Sequence, residues 1–194
     1  LYGPCFSHFA MKQGFDYIEK AFINIVKYKQ FEFDVVDSED WSDDKWHKNQ
    51  EDRHFMNNPG REVLRSGHAE GVIVGGNIGT LPLLFGTQYM PDLTGKILFL
   101  EDDGMSIDLF KRNFASLSQQ SNFDRINGIV IGSFRNNSDF TSDRLQKFFN
   151  DHVKLGQIPV ITGLDFGHTM PYFVFPIGGR ASIDTEKNTI KISL

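Results

Sequence analysis

Two short segments carry residue types suited to moving a proton. Ile158-Pro159-Val160-Ile161-Thr162-Gly163-Leu164-Asp165-Phe166-Gly167-His168 is an apolar run that ends in a histidine beside a glycine. Lys96-Ile97-Leu98-Phe99-Leu100 is a second apolar run, and it empties into Glu101-Asp102-Asp103. Histidine takes and returns protons near neutrality, and a carboxylate beside it fixes the tautomer and steadies the imidazolium. Together they make two thirds of a nucleophilic triad. No serine here stands on a convincing strand-to-helix elbow, so the set reads as part of a catalytic apparatus. The local pattern by itself favours a blander reading, with Glu101 capping a helix and His168 in a turn.

The elements that must position these residues alternate. Val72–Val74, Ile97–Leu100, Ile129–Ile131 and Pro159–Ile161 are short, wholly apolar runs, and helical patterns near 77–86, 106–121 and 141–155 lie between them. Strands apolar throughout and separated by helices predict a parallel sheet covered on both faces. Ligands of such sheets gather beyond the carboxyl ends of the strands. The loops 101–104, 132–135 and 163–169 should therefore share one rim, with Glu101, Arg135 and His168 on it. Upstream, Phe15, Ile18, Phe22, Ile25 and Val26 form one stripe of a helix over 14–29, and 31–36 reads as a strand. Downstream, 172–177, 180–185 and 189–193 alternate around turns, which predicts a smaller antiparallel sheet. The fold class expected is α/β in a single domain over 1–194.

Composition narrows the function classes. A formal charge of −5 gives no basic field for nucleic acid. One cysteine among 194 residues excludes an internal disulfide or a cysteine-built zinc site. His8, His47, His54, His68 and His152 show no metal-ligand spacing, and no metal or organic cofactor is expected. No apolar run reaches membrane-spanning length. The chain begins at Leu1, and Leu1-Tyr2-Gly3-Pro4 reads as a strand end entering a turn, so natural sequence is expected upstream, where there is room for a leader that these residues neither require nor exclude. The aromatic content permits a second copy of the chain as partner.

Three other features could bind or react. The long polar loop 37–60 carries Trp41 and Trp46, and an indole there can stack on a flat ligand or plug the core. Gly75-Gly76-Asn77-Ile78-Gly79 follows a strand; it lacks the lysine and glycines of a phosphate cradle, and Asn77 is read as a helix N-cap whose neighbouring amides could touch an anion. Cys5 could act as a nucleophile with His168, although a lone thiol is usually a small hydrophobe.

Taken in order, Gly75-Gly76-Asn77-Ile78-Gly79-Thr80-Leu81, Gly86-Thr87, Gly95 through Asp102, Asp165-Phe166-Gly167-His168-Thr169 with Pro171, and Pro176-Ile177-Gly178-Gly179 resemble the LD-carboxypeptidase family of serine peptidases. That family includes murein tetrapeptide carboxypeptidases and microcin C immunity proteins. The resemblance implies a two-domain enzyme whose amino-terminal domain carries the serine and the oxyanion hole. Residues 1–194 are similar to the second, swivelling β/β/α domain alone. It further implies Glu101 as orienting acid and His168 as general base, in a fragment inactive by itself. The tryptophan-bearing stretch 41–46 resembles the loop that stacks on adenine in immunity-type members. An aminoacyl- or peptidyl-nucleotide substrate is therefore favoured, with murein tetrapeptide as the alternative, in the cytoplasm. A non-catalytic module holding a nucleotide or peptide in the same cleft is the reading from another class.

Overall fold

The structure is a computed structural model and describes residues 1–29, 31–134, 139–152 and 156–194. Helix α1 (Asp16–Val26) comes first, turning Ile18 and Ile25 inward. It is followed by β1 (Glu32–Asp34), then by β2 (Asp40–Trp41) and β3 (Met56–Asn57), which pair only with each other. Strands β4 (Glu62–Arg65), β5 (His68–Asn77) and β6 (Lys96–Glu101) lead to helix α2 (Ile107–Leu117). Then come β7 (Gly128–Ser133), α3 (Ser142–His152), β8 (Val160–Gly167), β9 (Arg180–Asp184) and β10 (Thr189–Ser193).

Among the described residues, eight strands form one sheet in the order β1-β10-β9-β5-β6-β7-β8-β4. Its centre, β5 through β8, is parallel, as the unbroken apolar runs require. Along β6, side chains alternate between two cores. Ile97 and Phe99 share a cluster with Ile18 and Ile25 of α1. Leu98 and Leu100 share the opposite cluster with Phe110 and Phe114 of α2 and Leu145 of α3. In α2, Ile107, Phe110, Phe114 and Leu117 recur at helical spacing and are buried, while the Ser106 side chain accepts the Leu109 N–H at 3.3 Å to cap the first turn.

Three expectations are revised. The antiparallel strands β9 and β10 are present, yet they continue the parallel sheet edge to edge through β5 instead of standing apart. Residues 77–86 are not an α-helix: β5 runs in register with β6 as far as Asn77 opposite Glu101, and only a 3₁₀ turn, Leu81–Leu84, follows. Pro82 sits at its start and Gly79 and Gly86 flank it, a poor setting for successive α-helical hydrogen bonds. Residues 172–177 form no strand either. Tyr172, Phe173, Val174 and Phe175 are all buried, and only Phe175 bridges to Tyr2. Tyr172-Phe173-Val174-Phe175-Pro176-Ile177 is apolar throughout, so its residue types carry no period that separates a strand from an irregular buried segment.

Candidate active site

Glu101 ends β6 and follows Ile97 and Phe99 on the same face, so the strand's own alternation turns it toward the α1 side of the sheet. His168 directly follows β8. Their strands are not neighbours; β7 lies between them. Two strand spacings are about 10 Å, which two long side chains can bridge only if the intervening strand leaves room. Gly132 leaves that room. A Cβ there would lie 3.3 Å from the Glu101 Cβ and 2.3 Å from the Phe166 carbonyl oxygen. At Gly167, where φ is +112°, a Cβ would lie 3.4 Å from Glu101 Oε2.

Through this gap the His168 Nδ1 meets Glu101 Oε2 at 2.8 Å. The Glu101 side chain is 5% exposed and that of His168 is 44% exposed. The carboxylate is thus sunk in the rim and the imidazole opens outward. The Glu101 hydrogen bond holds the imidazole above its ordinary range; burial opposes this, and the charges of Glu101, Asp103 and Asp102 add to it. With Nδ1–H donated to the carboxylate, Nε2 carries the lone pair, and among the described residues nothing bonds to it. That is the arrangement of a general base.

Tyr2, which sequence reasoning did not single out, supports this corner. Its hydroxyl accepts the Gly167 N–H at 2.8 Å and donates to the Gly167 carbonyl at 3.0 Å. Asp165, in the Asp-Phe-Gly-His-Thr motif, anchors the long loop. Its carboxylate accepts the Ser38 N–H at 2.6 Å and the Asn58 side-chain amide at 2.9 Å, closing both ends of the loop onto β8. Burial is the main cause that pushes its carboxyl up to about 6. Beyond that base, Arg53 chelates Asp44 at 2.7 and 2.9 Å, and the Ser42 and Met170 backbones pair at 2.6 and 2.7 Å. The loop is therefore sewn to the segment that carries His168.

The two tryptophans part company on this frame. Trp41 pairs with Met56 and lines a cleft of about 160 Å³ bounded by Gly132, Phe134, Phe140 and Thr141. Trp46 is half-buried against the core and lies 5.5 Å from the His8 ring, away from the residues lining that cleft. Asn77 stands opposite Glu101, and its side-chain oxygen accepts the Thr80 N–H and hydroxyl at 2.9 and 3.0 Å, capping a turn and no α-helix. Arg135 lies outside the described residues. Cys5 is exposed and bonds to Ser7 and His8, not to His168. Among the described residues, no three His, Cys, Asp or Glu side chains cluster as metal ligands, and no helix is long and apolar enough to cross a membrane.

Comparison with known proteins identifies the family. Residues 70–183 match the family profile described as "LD-carboxypeptidase C-terminal domain". A Treponema pallidum protein named "Putative carboxypeptidase" is 41% identical over 100% of this chain and 57% of its own length. The Escherichia coli microcin C7 self-immunity protein MccF is 33% identical over 92% of this chain and 54% of its own. An MccF-like protein of Bacillus anthracis has a solved structure that matches with a TM-score of 0.93 at 43% identity, covering 98% of this chain and 60% of that one. MccF itself, solved in complex with glutamyl sulfamoyl guanosine, matches at a TM-score of 0.84 and 30% identity, covering 100% and 60%. The chain thus spans less than two thirds of the relatives it matches. On the matched profile and these identities, it belongs to the LD-carboxypeptidase family.

Proposed function

We propose that this chain supplies the glutamate–histidine half of a serine hydrolase whose nucleophile and oxyanion hole belong to a domain preceding residue 1. The hydrogen bond between His168 Nδ1 and Glu101 Oε2 carries the reading. In the two-domain protein, His168 Nε2 takes the serine proton as the hydroxyl attacks the scissile amide carbonyl, and later gives it to the leaving amine. Glu101 holds the ring and balances the imidazolium while staying ionised. Without a preceding domain the chain is inactive.

The substrate proposed is an aminoacyl or peptidyl group in amide linkage to a modified nucleotide, hydrolysed in the cytoplasm. Two observations support it: Trp41 lines the cleft beside the rim, and MccF has been solved with glutamyl sulfamoyl guanosine. The test is a paired assay of the two-domain protein on an aminoacyl sulfamoyl adenosine and a murein tetrapeptide. Faster cleavage of the nucleotide is expected, reduced in Trp41→Ala by ~1–3 kcal/mol, the worth of one base–aromatic stack. Preference for the tetrapeptide, with Trp41→Ala indifferent, would move the activity to the murein branch. If the preceding domain offered no serine elbow, a binding module would be left instead.

A further inference from the structure

We propose that Tyr2 is a positioning residue for His168, fixing the peptide before the histidine so that the imidazole reaches Glu101. The inference rests on His168 being the general base. Gly167 is where regular pairing of β8 gives out. The antiparallel partner β4 accompanies β8 only from Val160 to Thr162, and the register against β7 shifts on both sides of Gly132. A glycine at φ +112° at such a point has wide backbone freedom. A single hydroxyl removes that freedom by occupying both the N–H and the C=O of Gly167.

The hydroxyl is itself held rigidly. The Tyr2 ring stacks on Phe175 at 4.9 Å and meets Phe166 and Tyr172 edge-on at 6.0 and 5.8 Å. Its backbone pairs with Phe175 through two hydrogen bonds of 2.8 and 3.1 Å. Burial, with the nearby Glu101 charge adding to it, keeps the phenol protonated far above the usual range. Tyr2 therefore stays protonated and donates to the Gly167 carbonyl. Rotation at Gly167 would swing the following histidine, whose Nδ1 meets Glu101 Oε2 at 2.8 Å.

The experiment is an NMR titration of the His168 imidazole in the 194-residue chain, comparing the unaltered protein with Tyr2→Phe, Glu101→Gln and Tyr172→Phe. Glu101→Gln should return the His168 pKa toward 6.5, and Tyr2→Phe should shift it the same way. Tyr172→Phe removes a hydroxyl that bonds to His8 and should leave the titration in place. In the two-domain protein, Tyr2→Phe should lower kcat about 10–100-fold with KM nearly constant, since small misplacements of a reacting group have effects of that size. A Tyr2→Phe titration superimposable on the unaltered one, while Glu101→Gln shifts, would overturn the role of Tyr2 and leave the dyad intact. No shift in Glu101→Gln would overturn the dyad, and the role of Tyr2 with it. Should Tyr2→Phe not fold, amide exchange of Gly167 in the unaltered chain decides: protection is expected, and exchange as fast as at the exposed Gly104 contradicts the proposal.

Discussion

At the scale of residues, the site is a balance between burying a carboxylate and leaving its partner accessible. A general base must be neutral to act, and the Glu101 hydrogen bond holds the His168 pKa above 6.5. The acid limb of kcat/KM in the two-domain protein is therefore expected above pH 6.5, and Glu101→Gln should move it to lower pH; an unmoved limb would detach the histidine from its carboxylate. The same contact has a stability sign. Because the pKa is raised on folding, its stabilisation is fully present below 6.5 and is lost as pH rises through the folded-state value. The shared rim of a parallel sheet brought Glu101 and His168 together in sequence, but the local pattern favoured a cap and a turn, and only the family resemblance raised them to a pair, which meets at 2.8 Å. Tyr2 was not legible in sequence: its hydrogen bonds are to backbone groups 165 residues away, and a contact to a peptide leaves no trace in residue types.

Elements explain why two non-adjacent strands can share one site. Gly132 in β7 is the aperture, and Gly132→Ala should cost about 1–3 kcal/mol or more in urea unfolding, the usual range for overpacking. Its new methyl would meet the Phe166 carbonyl, which cannot yield like a flexible side chain. Wild-type stability in that variant would mean the strands are spaced more loosely. The loop 37–60 was readable as long and polar, but not its attachment, because Asp165 reaches Ser38 and Asn58 across the fold. A carboxyl raised to about 6 from 3.8 disfavours the folded state once ionised, so stability should fall as pH rises from about 4 to about 6. The difference in urea midpoint between the parent protein and Asp165→Asn should vary across that window; a constant difference would show that Asp165 does not titrate there. Residues 172–177 were misread because an unbroken apolar run does not by itself separate a strand from an irregular buried segment. Strand β4 escaped notice because its partner is β8, about 100 residues away, and its own pattern is weakly apolar.

The molecule as a whole is organised to present one rim. Helices and the 172–175 segment cover the sheet's two faces, and the strand ends gather Glu101, His168 and the tryptophan loop. Its relatives are longer, with the chain covering 57% and 54% of two of them, which fits a site finished by another domain. The proposed site depends on His168 as its base. The most direct measurement is steady-state hydrolysis of an aminoacyl sulfamoyl adenosine by the two-domain protein and its His168→Ala variant. A fall in kcat of ~10³-fold or more with KM little changed is predicted, as for loss of an interaction made in the transition state. Turnover within a few-fold of the parent protein would contradict it.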